Sequence, residues 1–302
     1  MSILFELERM ERLIKDIEKL RYPICIPIRD YKMYEGKLEG GEKCDVTKWQ
    51  DYKIDTPWNT LDSHRWLRTT VVIPKEMDHR HVEMQLISGR EGQWDATNPQ
   101  MLFYVNQKLA QGVDVNHREV TLSFDAKAGE VYEIAMLVYS GSVPGDLILR
   151  SNLIVIDDAV QKFYYDFSVP LESARLLQNS DEENCRRILQ KLDGAAGRID
   201  LRKPYSPLFY GSLSAADELL VKEFYTEVDE KAPVVSSIGH THIDVAWLWT
   251  VEQTREKVLR SFSTVLRLME QYPDYKFMSS QPILYQFVKE QMPEMYEKIR
   301  QR

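Results

Sequence analysis

Val234-Val235-Ser236-Ser237-Ile238 runs directly into Gly239-His240-Thr241-His242-Ile243-Asp244-Val245-Ala246-Trp247-Leu248-Trp249, and the reading of this stretch decides the rest. The opening run is short and rich in β-branched residues, which favours a buried strand over a helix. On an extended strand alternate side chains share a face, so His240, His242 and Asp244 would point one way, about 7 Å from one to the next. Imidazole nitrogen with carboxylate oxygen is a donor mixture that zinc accepts, and cobalt(II) suits it too. A helix is expected from Gln253 to Gln271, which sets these donors at the carboxyl end of a strand, the active-site face of α/β barrels. In the competing reading Asp244 caps that helix and the histidines are hydrogen-bonding groups beside a strand end. The residues alone leave both readings open.

Working outward, the length of 302 residues suits about two domains. Ile3, Leu7, Met10, Ile14 and Ile17 repeat at helical spacing up to Pro23, giving one amphipathic helix that lies on a neighbouring domain; two heptads are too few for a coiled coil. From about Tyr52 to Asp166 the texture is of short β-rich runs, among them Leu67 to Ile73, His81 to Ser88, Met101 to Val105 and Val131 to Val138, separated by turn-rich breaks. Regular short strands of this kind suggest a β-sandwich. After Pro170 the pattern is helical again, from Leu171 to Asp193 and from Ser214 to Val228, the second opening on a capping-box-like Ser214-Ala215-Ala216-Asp217. Beyond the signature, Lys276 to Ser279 reads as a second strand and Pro282 to Arg300 as a second helix. The expected division is therefore 1–30 amphipathic helix and linker, 31–168 β-sandwich, 169–230 helical connector and 231–302 the start of a catalytic domain.

Composition narrows the function classes. The chain has 47 acidic and 39 basic residues, a formal charge of −8 and no basic cluster, which argues against a nucleic-acid partner. The amino terminus lacks an uninterrupted apolar core and no stretch approaches membrane-spanning length, so the expectation is a cytoplasmic protein without a membrane partner. Cys25, Cys44 and Cys185 are widely spaced, odd in number and without Cys-x-x-Cys, which fits reduced thiols. Phosphate-loop, dinucleotide and serine-elbow motifs are absent from the sequence. His79-Arg80-His81 with Asp78 reads as a solvated turn rather than a metal site. Trp49, Trp58, Trp66 and Trp94 are candidates for stacking on sugar, with core packing favoured because aromatic rings dominate interiors.

At Gly239 to Trp249 the chain resembles glycoside hydrolase family 38, the class II α-mannosidases, most closely the branch of bacterial and cytosolic or vacuolar enzymes, whose Gly-His-x-His-Ile-Asp-x-Ala-Trp-Leu-Trp signature it matches without a gap. Arg65-Trp66-Leu67-Arg68, Val71 to Pro74, Phe103 to Asn106, Gln111 to Asp114 and His117 to Val120 look like the family's amino-terminal β-sandwich. The resemblance implies that His242 and Asp244 are zinc ligands and Trp247 the aromatic platform beside a mannose ring, with His240 next to the ligands rather than on the metal. It implies retaining hydrolysis of terminal α-mannosides, in oligosaccharides or small mannosides, by two carboxyl groups about 5 Å apart. It also implies that the nucleophile, the acid/base and the remaining metal ligands lie downstream. A barrel needs roughly 200 residues or more, far beyond 231–302. The expected architecture is thus α+β and multidomain, a β-sandwich with flanking helices followed by the first two βα units of a (β/α) barrel-like domain, and the 302 residues are expected to be inactive alone. Homo-oligomerisation is left open. Two rivals stand: a metal-dependent amidohydrolase barrel with the ion on His240 and His242, and a non-catalytic carbohydrate-binding or interaction module.

Overall fold

A computed structural model of the chain describes residues 3–57, 60–89, 99–141, 148–226 and 233–302. Helix α1 (Ile3–Glu18) comes first, followed by strands β1 (Ile24–Pro27), β2 (Asp30–Glu35), β3 (Gln50–Lys53), β4 (His64–Val72) and β5 (His81–Ile87). Strands β6 (Gln100–Val105), β7 (Lys108–Val113), β8 (Glu119–Ser123), β9 (Val131–Tyr139) and β10 (Arg150–Ile156) complete the strand-rich region. Helices α2 (Asp158–Leu177), α3 (Glu182–Ala196) and α4 (Pro207–Leu220) come next. Strand β11 (Gly239–His240), helix α5 (Val251–Gln271), strand β12 (Phe277–Met278) and helices α6 (Pro282–Gln291) and α7 (Pro293–Gln301) end the chain. It divides into two compact units, residues 1–25 with 155–234 and residues 26–154 with 235–302.

The first unit is helical. The 3.6-residue period of α1 buries Leu7, Met10, Ile14 and Ile17, which share one core with Val160, Phe163 and Phe167 of α2, Leu189 and Leu192 of α3, and Phe209 and Leu213 of α4. Each helix of the trio begins on a short polar cap that accepts a backbone N–H three residues on: Asp157 from Val160, Asp181 from Asn184 and Ser206 from Phe209. Two details differ from the sequence reading. The stretch from Leu171 to Asp193 is two helices parted at Gln178–Asp181, and Ser214 sits inside α4, whose true start is Ser206 followed by Pro207. Ser-Pro at a helix start combines a cap with a residue that has no N–H to leave unpaired.

The second unit contains the sheets. The two larger ones have the orders β1-β10-β5-β8 and β3-β2-β4-β9-β6-β7, and β11 and β12 form a two-stranded third. The long β4–β9 ladder is antiparallel from His64 opposite Tyr139 to Val72 opposite Val131. Strands β6 and β7 form a hairpin whose two turn residues, Asn106 and Gln107, both have positive φ, 49° and 66°, the geometry of a tight hairpin turn. Strand β5 is buried along most of its length. Its polar residues therefore pair off: Glu83 takes His81 at 3.1 Å and the Thr121 hydroxyl at 2.8 Å, and Gln85 donates to Glu119 at 3.0 Å. The architecture is thus mixed α and β, with antiparallel ladders in the larger sheets and a short parallel β11-β12 pair, and the described residues contain no closed barrel.

The six-stranded sheet and helices α5 to α7 share a core in which Trp49, Trp66, Leu102 and Tyr104 meet Ile243, Val258, Phe262, Leu284 and Phe287. Helix α5 approaches β7 so closely that a Cβ on Gly112 would lie 2.6 Å from the Arg260 carbonyl oxygen. The contact is sealed by the Thr264 hydroxyl donating to the Gly112 carbonyl at 3.2 Å. Trp49 and Trp66 are consequently core residues, 7% and 3% exposed, and stack on no sugar; Trp58 and Trp94 lie outside the described residues. Two expectations for the carboxyl-terminal part are corrected. Pro282 to Arg300 is two helices, because Pro293 cannot donate to the turn before it. Val234 to Ile238 is not a buried strand: Val234, Val235 and Ile238 are 95%, 80% and 56% exposed. Among the described residues β11 has one partner, the two-residue β12, and a parallel strand holds a longer run only when neighbours cover it.

Candidate functional site

Strand β11 pairs in parallel with β12, Gly239 opposite Phe277 and His240 opposite Met278, and Gly239 N–H donates to the Lys276 carbonyl at 2.8 Å. The Tyr275 ring lies against Gly239 where a Cβ would collide with it, so glycine is needed for the approach. After His240 the chain leaves the sheet but keeps an alternation of faces. Ile243 is 2% exposed and joins the core with Val258 and Phe262. Its neighbours His242 and Asp244 face outward, with side chains 71% and 45% exposed. Their Nδ1 and Oδ1 atoms are 3.7 Å apart. The rings of His240 and His242 are 6.4 Å apart, centre to centre.

Asp244 does not cap the helix that follows. Thr250 does, in a full capping box: its hydroxyl accepts from Gln253 N–H at 3.2 Å while the Gln253 side chain accepts from Thr250 N–H at 2.7 Å. That leaves the Asp244 carboxylate without the capping role. Between Asp244 and Thr250 the loop presents Trp247 and Leu248 to solvent, 68% and 77% exposed. Trp249 turns inward. Its indole N–H donates to the Thr254 hydroxyl at 2.9 Å, the Lys257 ammonium sits 3.6 Å over its ring, and Trp247 meets it edge-on at 5.6 Å. Burial pushes the Lys257 pKa down, Arg260 adds to the effect and Asp244 opposes it.

The donor set fits half of a zinc site. Two ligands about 2.0–2.1 Å from one tetrahedral ion lie about 3.3 Å from each other, so the 3.7 Å between His242 and Asp244 closes with a small side-chain rotation. Among the described residues no group of three or more His, Cys, Asp and Glu side chains could hold a metal. His79 and His81 diverge, His79 onto Asp125 at 2.9 Å on the surface and His81 into the sheet against Glu83. The three cysteine thiols are free. No helix among the described residues is long and apolar enough to cross a membrane.

A cavity of about 390 Å³ adjoins the signature at Thr241 and is walled by Asp114, His117, Lys257, Arg260 and Tyr275. His117 donates to Asp114 at 3.3 Å, which raises its pKa. From Arg260 on the cavity wall runs a charge cluster that the sequence did not announce. Glu256 faces His64 at 2.9 Å, Lys37, and Arg260 at 3.7 Å. Burial holds the Arg260 guanidinium down to about 10, with Glu256 opposing. Only the pattern Thr250-x-x-Gln253 was a readable signal for this end of the helix; Thr254, Glu256, Lys257 and Arg260 carry none.

Residues 232–302 match the family described as glycosyl hydrolases family 38 N-terminal domain. This carboxyl-terminal stretch of the chain is what resembles that family. It is 26% identical to alpha-mannosidase G of Dictyostelium discoideum over 98% of its own length, 34% identical to alpha-mannosidase of Saccharomyces cerevisiae over 50%, and 34% identical to alpha-mannosidase 2C1 of Mus musculus over 39%. It spans 28%, 14% and 11% of those relatives respectively. The family match begins just before β11 and takes in His240, His242, Asp244 and Trp247.

Proposed function

We propose that residues 239–249 supply the metal-binding and sugar-facing segment of a zinc-dependent, retaining α-mannosidase acting on terminal α-mannosides of oligosaccharides or small mannosides. The observation that carries this reading is the juxtaposition of His242 Nδ1 and Asp244 Oδ1, 3.7 Å apart and exposed, on the same loop as an exposed Trp247. The family match and the names of the relatives point the same way.

His242 and Asp244 would hold the ion, Asp244 neutralising part of its charge, and Trp247 would offer its face to the apolar side of a pyranose. A zinc ion bound there supplies Lewis acidity toward sugar hydroxyls. Retaining chemistry needs two carboxyl groups about 5–5.5 Å apart across the glycosidic bond. With Asp244 engaged on metal, this loop binds and orients, and the nucleophile and acid/base come from the rest of the catalytic domain. Residues 1–302 alone are therefore expected to bind zinc weakly, with water completing the shell, and to turn over no mannoside.

Zinc titration of the full chain followed by calorimetry tests this. His242→Ala and Asp244→Ala should each lose the site and His240→Ala should keep it. Loss with His240→Ala and retention with Asp244→Ala would move the ion to the two histidines and overturn the assignment.

A further inference from the structure

We propose that Thr254 is a positioning residue whose hydroxyl pins both ends of the loop 244–249 onto α5, and so fixes where Asp244 and Trp247 are presented; its link to metal rests on the function proposed above. Thr254 is fully buried, at 0% exposure, although it is polar. A hydroxyl has one proton to give and lone pairs to accept with, and here each is used on the loop. The oxygen accepts the Trp249 indole N–H at 2.9 Å. Its proton goes to the nearest carbonyl, that of Val245, with the Asp244 and Thr250 carbonyls further off at 3.4 and 3.3 Å.

One oxygen thus ties the residue after Asp244 to the residue before the helix cap. Between these two points the chain bulges into solvent as Ala246, Trp247 and Leu248, braced by Trp247 N–H on the Trp249 carbonyl at 3.3 Å. The pin itself is fixed from below, because the Thr250–Gln253 capping box sets the first turn of α5. Without the hydroxyl the indole N–H and the Val245 carbonyl would both lose this partner at a part-buried contact, which drives the loop to open toward water. Ile243 would still anchor one end in the core, so the change falls on the segment that carries Asp244 and Trp247 and not on the fold.

The test uses the full chain with Thr254→Val, which keeps the shape and removes the oxygen, Thr254→Ser, which keeps the oxygen, and Trp249→Phe, which removes the indole donor without altering the helix. Two quantities are read: hydrogen exchange of the Trp249 indole proton by nitrogen-15 NMR in the two Thr254 variants, and zinc affinity by titration against a His242→Ala control in all three. Thr254→Val should speed indole exchange at least tenfold and weaken zinc binding about tenfold. Thr254→Ser should stay within about twofold on both, and Trp249→Phe should weaken zinc binding in the same direction as valine. Valine behaving as wild type, or serine failing as valine does, overturns the proposal. If wild type binds zinc no better than the His242→Ala control, the metal reading is what fails, and indole exchange alone then decides the pin. A Thr254→Val chain that does not fold leaves the decision to Trp249→Phe: normal zinc affinity there overturns the proposal.

Discussion

Glu256→Gln is the perturbation that best measures how α5 is held against the sheet. The side chains of Glu256, Arg260 and His64 are only 10%, 11% and 15% exposed, while that of Lys37 is 43% exposed. Burial alone would raise the Glu256 pKa; hydrogen bonds from His64 and Lys37 outweigh it and hold the carboxyl below its usual value. Removing one member of a buried ion pair costs about 3–5 kcal/mol, because the remaining charge is left uncompensated. Here the lower end applies. The Arg260–Glu256 contact is loose at 3.7 Å, the solvent-facing Lys37 contributes about 0–1 kcal/mol, and glutamine can still accept from His64. The expected loss is about 3 kcal/mol, read by urea unfolding as a midpoint about 1–3 M lower for a slope of about 1–3 kcal/mol per molar. Pairing it with Arg260→Met should recover part of the loss, since a buried ion pair can be replaced by apolar packing at little cost. The pH dependence has a definite sign: a depressed carboxyl pKa contributes stability that is present above the unfolded value of about 4.3 and lost as pH falls through the folded one. Glu256→Gln should lack that acid-side loss. A destabilisation below about 1 kcal/mol, or a double variant whose losses simply add, would refute the account of Arg260 as a guanidinium dependent on Glu256.

Phe163→Ala in the helical unit should cost about 3–5 kcal/mol by thermal unfolding, since Phe163 is fully buried between α1 and its partners; a loss under 1 kcal/mol would mean that core is not formed. The Asp114–His117 pair should stabilise the fold at acid to neutral pH. The His117 pKa is raised by Asp114, so the contribution is full below the unfolded value of about 6.5 and fades as pH rises through the folded one. Melting temperatures from pH 6 to 9 should show this decline in wild type and its absence in His117→Asn. The size should be below about 1 kcal/mol because both side chains are 43% exposed.

What could be read from the sequence was what short-range periodicity dictates. The α1 positions Leu7, Met10, Ile14 and Ile17 are all buried as their spacing requires, and the alternation around Ile243 sets His242 and Asp244 outward together. What could not be read depends on residues far apart in the chain. Pro170 was taken as a boundary, yet it lies inside α2. Proline cannot donate to the carbonyl four residues back, and that carbonyl, Asp166, accepts instead from the Tyr225 hydroxyl at 3.1 Å. No local pattern foretells a hydroxyl arriving from Tyr225. The same logic explains the failure at Val234 to Ile238. β-branched residues state a preference for extended backbone, but a strand exists only where a partner takes its N–H and C=O groups and a neighbour covers its side chains. The pairing at Gly239 and His240 meets the first condition for two residues, so the strand stops there and its apolar approach stays in water. The loop beyond it is tied to α5 through Thr254, ten residues past Asp244, so the outward pair His242 and Asp244 was legible from spacing while the hydroxyl that holds their loop was not.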